Sequence, residues 1–389
     1  MSISAPIYHQ LFNLLRQHTT YKDLRHLKAL AWMIHALISS GTINLSEWEA
    51  YICSSAIQAQ STERRWQRFL RNSRIKIRSL YIPLVMAAIS KNKKNRIYLA
   101  LDTTMLWNKY CFIHLSIVCG GRAIPFLWKA LEHNSSTVAF REYKLILRLA
   151  QKLLSEYDDV MVLADRGFAN HHLLRWLQTT NWHYCLRLPC DVHIGNGKSK
   201  GRQLKTLFPT VGEATLYHNV FLWLESKCKC NLVLANVKGI NDPWAIITSE
   251  KPSLETLWQY GLRFSIEELF LDSKSGAFQL EQSKIRNSKS LDRLYLVVAL
   301  AILFSTSQGM TVQIKGLRTQ VDPHYSRGIS YLKIGLRWLR GVLNKGRDLF
   351  VPIPLFLKDP EPCFASKKAK EYYYDAIWFS RIKEIKYSI

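Results

Sequence analysis

Carboxylates stand in this sequence where a divalent cation could be held. The apolar run Ile97-Tyr98-Leu99-Ala100-Leu101 ends in Asp102, and Val160-Met161-Val162-Leu163-Ala164 ends in Asp165. Each run has the length and apolar continuity of a strand buried on both faces. A lone Asp in that position serves equally as a helix N-cap or turn residue. Two on strands of one sheet point further, because ligand sites of open α/β sheets form at the carboxyl ends of the strands. Neighbouring strands lie about 4.8 Å apart, so both carboxylates can share one hard cation. Holding two ions needs a third carboxylate. Tyr260, Arg263, Glu267 and Lys274 fall at offsets 0, 3, 7 and 14, one stripe of a helix that starts near Leu254. Leu257, Phe264 and Leu271 run beside it as the expected buried seam. The stripe reads as a site wall or as a plain surface with an i,i+4 pair between Arg263 and Glu267. Spacing alone leaves Glu267 and its neighbour Glu268 equally eligible.

The elements that must position these groups follow from the apolar pattern. Cys111–Cys119 and Ala123–Trp128 read as two further strands joined at Gly120-Gly121. An amphipathic helix over 141–156 sets Leu145, Ile146, Leu149 and Leu153 against Arg141, Lys144, Arg148 and Lys152. The strand at 160–164 follows, then a helix, then a strand over Tyr184–Leu188. Residues 190–250 carry short strand patterns broken by Gly195-Asn196-Gly197, Pro209, Gly212, Gly239 and Asn241-Asp242-Pro243, which reads as an all-β insertion. From Pro252 to about residue 310 the pattern is helical. Residues 1–95 are also helical, with Leu27, Leu30, Ile34 and Ile38 at helical spacing. The segment Ser61–Arg71 sets Arg64, Arg65, Arg68 and Arg71 around the anchors Trp66 and Phe69, a pattern suited to phosphate contact. Its bland alternative is a solvated basic face. Lys91-Asn92-Lys93-Lys94-Asn95 reads as a boundary loop.

Charge narrows the function class. The chain has 389 residues, 54 basic against 29 acidic, and a formal net charge of +25. At 48% hydrophobic residues it is no disordered basic tail. The excess calls for a polyanion, nucleic acid before an anionic membrane surface. It is concentrated at the two ends, with 15 basic and 4 acidic residues over 1–100, and 15 and 7 over 311–389. The longest apolar run, Leu294–Phe304, is about half the roughly 20 residues that span a bilayer, and no signal peptide is expected. Cys228 and Cys230 form C-x-C rather than a zinc motif, so the eight cysteines are expected as free thiols in a reducing cytoplasm.

With these residues in place the chain resembles bacterial insertion-sequence transposases of the DDE type, in the insertion-sequence four family. The signature is Tyr, two residues, Arg, three residues, Glu, six residues, Lys, which Tyr260, Arg263, Glu267 and Lys274 match. Leu101-Asp102-Thr103-Thr104 and Ala164-Asp165-Arg166-Gly167-Phe168 resemble the two acidic motifs. The segment Trp244–Glu250 is similar to one whose Trp lies beside a flipped base, and Gly121-Arg122-Ala123-Ile124-Pro125 is also similar to the family. The resemblance spans roughly residues 60–310, and it selects Glu267 over Glu268.

The resemblance implies an α/β fold: an RNase H-like core interrupted by a β-rich insertion. The expected organisation is a helical DNA-binding region (1–95), the first part of the core (96–189), the insertion (190–250), Glu-bearing helices (251–310) and a basic, mainly helical C-terminal region (311–389). It implies that Asp102, Asp165 and Glu267 hold two Mg²⁺, with Mn²⁺ as a substitute, for cleavage and strand transfer. Tyr260, Arg263 and Lys274 would meet phosphates, and Trp244 an extruded base. The implied partners are the terminal inverted repeats, target DNA and a second copy in a synaptic dimer, with no membrane, on the nucleoid of a bacterial cytoplasm. The implied course is cut-and-paste transposition through a hairpin. Rival readings are an inactive DNA-binding relic and a generic RNase H-like nuclease.

Overall fold

The structure, a computed structural model, describes residues 6–53, 58–195, 201–223, 227–239, 242–324, 328–345, 347–358 and 379–386. The turns expected at 195–197 and 241–243 fall partly outside these residues, and most of the tail beyond residue 358 does too. Four helices open the chain: α1 (Pro6–His18), α2 (Leu24–Ser40), α3 (Ala59–Arg71) and α4 (Ile77–Ile89). Asp23 caps α2 by accepting the Arg25 N–H, and Gly41, in left-handed conformation, ends it.

The strands β1 (Ile97–Leu106), β2 (Tyr110–Cys119) and β3 (Arg122–Glu132) form an antiparallel meander. Both hairpin turns need left-handed backbone. Gly120 and Gly121 supply it in one (φ 55° and 72°), Trp107 and Asn108 in the other (52° and 51°). A tryptophan adopts this conformation at a cost. Its indole N–H donates to the Glu281 carbonyl at 2.9 Å, and the Arg286 guanidinium lies 3.7 Å from its ring, which holds the hairpin tip. β1 outruns the apolar stretch, because Asp102-Thr103-Thr104 continues the ladder with β2. Asp102 therefore lies inside the strand opposite His114, not beyond its end as expected.

α5 (Phe140–Leu153) leads to β4 (Val160–Ala164), parallel to β1, and α6 (His171–Gln178) leads to β5 (His183–Arg187), parallel to β4. The next five strands are β6 (His193–Gly195), β7 (Arg202–Gln203), β8 (Glu213–Leu222), β9 (Cys228–Ala235) and β10 (Trp244–Thr248). They do not form a separate layer. β10 pairs antiparallel with β5, so one sheet runs β3-β2-β1-β4-β5-β10-β9-β8-β6-β7. The described cysteines, Cys228 and Cys230 of β9 among them, are free thiols.

The helical segment then breaks into α7 (Leu254–Gly261), a 3₁₀ turn (Leu262–Phe264), α8 (Ser265–Leu271) and a π turn (Asp272–Gly276). Its start is tied to the strand ends. Arg96 pairs with Asp159 at 2.7 Å and donates twice to Glu250, at 2.9 and 2.7 Å, while Gln259 of α7 donates to Glu250 at 3.2 Å. α9 (Ser288–Ile314) follows, then α10 (Tyr331–Lys345) and β11 (Arg381–Lys386). β11 adds in parallel to β8.

α9 is long and apolar enough to cross a bilayer by length and composition, but 94% of its apolar window is buried inside the protein. It outruns the apolar stretch seen in the sequence because its polar groups find partners: the Gln308 side chain both donates to and accepts from the Phe350 backbone, at 2.8 and 3.0 Å. It crosses α10 at backbone contact, where a Cβ on Gly309 would strike the Tyr331 carbonyl and one on Gly335 the Ser305 carbonyl. Its first turns are tied to β3 and α3. Asp292 accepts the Ala130 N–H at 2.7 Å, and Arg293 donates to the Leu70 carbonyl at 2.9 Å.

Burial pushes the Asp292 carboxyl up to about 7 against the pull of the Ala130 N–H, Arg293, Lys129 and Arg78. A carboxyl raised in the folded state stabilises the fold fully below its unfolded value near 4, and that contribution disappears as pH rises through about 7. Asp292→Asn keeps the acceptor and removes the charge. The variant is expected to match the parent near pH 4 and to exceed its stability at pH 8 by on the order of 2–4 kcal/mol, read from urea unfolding at the two pH values.

Candidate active site

Three carboxylates far apart in sequence meet at the centre of the sheet. β1 and β4 are neighbours with Leu101 opposite Ala164, so Asp102 and Asp165 occupy equivalent next positions on adjacent strands. Glu267 comes from α8, which packs across β1, β2 and β3. One buried guanidinium joins them. Arg263 is 4% exposed and donates to Asp102 Oδ2 at 2.9 Å and to Glu267 Oε1 at 2.7 Å. It lies 4.7 Å from the Phe264 ring centroid and 5.7 Å from that of Tyr260. The buried Tyr260 hydroxyl donates to Asp165 Oδ1 at 3.0 Å. Two residues of one short helical segment thus reach all three carboxylates.

The two aspartates are driven in opposite directions. Burial pushes Asp102 up to about 6, with Asp165 and Glu267 adding to the rise, against Arg263 and the Thr103 N–H. Burial also pushes Asp165 upward. There Arg263, the Arg166 N–H, the Tyr260 hydroxyl and Arg187 together outweigh it and hold the carboxyl below its ordinary range. Burial works against the Arg263 charge, but Tyr260, Asp102, Asp165 and Glu267 more than offset it, so the guanidinium is held protonated.

Arg122 at the start of β3 separates the two adjacent glutamates in space. It pairs with Glu268 at 2.8 Å and with the buried Asp272 at 3.2 Å, so Glu268 is turned to the sheet edge and Glu267 to the aspartates. The pairing of Arg122 with Asp272 is long-range, so the local sequence around either residue carries no signal of it. Arg187 ends β5. It sits 4.0 Å from Asp165, and both it and Arg166 approach Asp242 at 3.8 Å. Its one available signal was a cation ending the strand beside β4.

Other expected residues stand elsewhere. The 3₁₀ and π turns interrupt the helix, so the stripe does not persist. Leu271 is 54% exposed rather than part of a seam. Lys274 lies in the π turn and pairs with Glu281 at 3.1 Å. Trp244 is 3% exposed, with its ring 5.3 Å from Tyr260 and 6.2 Å from Phe264, and so it backs Tyr260 without offering an open face to a base. On α3, Arg64, Arg68 and Arg71 are exposed, while Arg65 lies partly covered over Trp66 at 5.3 Å.

Among the described residues, no group of three His, Cys, Asp or Glu side chains is gathered closely enough to hold a metal ion as it stands. Arg263 fills the space between Asp102 and Glu267. The donors are nonetheless all carboxylate oxygens, the set that suits a hard divalent cation.

The fold and site define an α/β protein with a carboxylate centre on its sheet. The family model described as "Transposase DDE domain" matches residues 107–304, just over half the chain, and the chain belongs to that family: it is a DDE transposase, an enzyme of DNA transposition. The matched span takes in Asp165, Trp244 and the Tyr260–Lys274 motif, and begins five residues after Asp102. Dependence on a divalent cation goes with the family. A search of curated proteins found no match. Among solved structures, a cryo-EM structure of a piggyBac transposase synaptic complex with hairpin DNA is similar at 9% identity and a TM-score of 0.43, over 95% of this chain and 82% of that one.

The bridge predicts an asymmetry. Arg263→Ala strands two carboxylates, one of them half-buried, and is expected to cost about 3–5 kcal/mol in urea unfolding. Glu267 is 55% exposed, so Glu267→Gln should cost less than about 1 kcal/mol. Equal costs would mean that the bridge carries little of the stability.

Proposed function

We propose that Asp102, Asp165 and Glu267 are the catalytic carboxylates of a cut-and-paste transposase with an RNase H-like core. The observation that carries this reading is the joining of all three through Tyr260 and Arg263 alone. The three residues would hold the divalent cation, two Mg²⁺ ions in the resemblance. Such ions supply Lewis-acid stabilisation of the scissile phosphate and of the attacking oxygen.

The chain's own residues supply position and charge. Tyr260 orients the Asp165 carboxylate, and Trp244 and Phe264 hold the Tyr260 ring. Arg263 keeps Asp102 and Glu267 together against their mutual repulsion. Arg187 and Arg166 flank Asp165 and give the approaching phosphodiester positive charge to meet. Arg122 fixes the face that α8 presents, which keeps Glu268 out of the site.

The hairpin course, the terminal repeats and target DNA as partners, a synaptic dimer and residence on a bacterial nucleoid rest on the insertion-sequence four resemblance. As the side chains stand, Lys274 and Trp244 would need to move to meet a phosphate or a flipped base. The formation of strand-transfer products distinguishes this reading from a generic nuclease.

The test is metal-dependent nicking of a duplex that carries the element's terminal repeat. Asp102→Asn, Asp165→Asn and Glu267→Gln are each expected to lower the rate by roughly 10³-fold or more, about 4 kcal/mol of barrier, while DNA binding is kept. Glu268→Gln should stay within about tenfold of the parent. Reversed outcomes for the two glutamates would transfer the catalytic role to Glu268.

A further inference from the structure

A second feature lies at the same end of the sheet. Between the first turns of α4 and α9 runs a groove of about 460 Å³ into which Lys76, Arg78, Lys289 and Arg293 project, with Asp292 among them. Lys76, Arg78 and Lys289 are exposed, and among the described residues none of the three has a carboxylate within ion-pair distance. Four cations against one carboxylate give the lining a charge of +3. Arg293 is 9% exposed. Its Nη1 is used by the Leu70 and Lys289 carbonyls, but its buried Nε has no acceptor. Both helices also direct their N-terminal turns at the groove, and no side chain caps α4.

The sheet register locates the groove relative to the carboxylates. Thr104 faces Phe112, and Phe112 faces Ala130, whose N–H binds Asp292 at the groove. Asp102 lies two residues back along β1, and β3 is two strands away, a lateral distance of roughly 10 Å. Arg71 ends α3 only a few residues before Lys76, so the exposed arginines of α3 lead toward the same groove.

We propose that this groove binds the phosphodiester backbone of the DNA on which the carboxylate site acts. The inference rests on that site being the catalytic one, and it adds a contact that neither the signature motif nor the α3 arginines supply. Asp292 does not defeat it. One of its oxygens is bound to the Ala130 N–H, and its charge is faced by Arg293, Lys129 and Arg78. The three exposed cations would pair with backbone phosphates and release counterions.

The experiment is fluorescence anisotropy of the full chain with a labelled duplex across a salt series. Arg78→Gln with Lys289→Gln should weaken binding and make the slope of log affinity against log salt shallower by about 2. Arg202→Gln with Lys205→Gln, two exposed cations at the far end of the sheet, should leave the slope unchanged. Ser79→Glu, an exposed substitution at the groove rim, should weaken binding on its own, and thermal melting checks that each variant is folded. An unchanged slope in the groove pair, or equal changes in both pairs, overturns the groove while leaving the carboxylate assignment intact. Failure of the parent to bind duplex at any salt would overturn both.

Discussion

A single buried guanidinium organises the centre of this protein. Taking Arg263 out of water costs several kcal/mol, and the cost is offset only where good acceptors and aromatic faces replace the lost hydration. Asp102, Glu267, Phe264 and Tyr260 supply them. None is useful unless α7 and α8 lie across β1 in one register. That register is enforced from two sides. Arg122 grips Glu268 and Asp272 at the β3 edge, and Arg96 pairs with Asp159 and Glu250, to which Gln259 of α7 also donates. Removing either clamp would leave buried or half-buried carboxylates without partners, so the three ionic centres reinforce one another.

The inserted strands take part in the same arrangement. Because β10 continues the sheet beside β5, its first residue, Trp244, packs on Tyr260 from behind. Tyr260 in turn donates to Asp165. The insertion therefore shapes the carboxylate centre by packing, through a wall of aromatic rings. α9 braces the sheet edge as a buried strut fastened to β3.

The sequence was most informative where one element is buried on all sides. β4 coincides with its apolar run because nothing polar extends it. β1 runs on through Asp102-Thr103-Thr104, since a hairpin partner satisfies the backbone whatever the side chains are. The helical stripe from Tyr260 to Lys274 assumed a constant 3.6 residues per turn. A 3₁₀ turn tightens the rotation before Glu267 and a π turn widens it after Leu271. The first three motif residues still converge, whereas Lys274 swings to Glu281 and Leu271 to solvent. Glu267 and Glu268 could not be told apart by spacing because the deciding partner, Arg122, lies far back in the chain.

The two bonds that Arg263 makes are unequal, and the inequality bears on catalysis. Asp102 is largely enclosed, accepts the Thr103 N–H and is pushed toward protonation by its surroundings. Left without Arg263 it would have little water to turn to. Glu267 is 55% exposed on a helix of two turns and can regain hydration if released. When a phosphate group competes for the guanidinium, the Glu267 bond is therefore the cheaper one to give up. A site built this way keeps Asp102 and Arg263 as its rigid part and leaves the exposed carboxylate as the adjustable one.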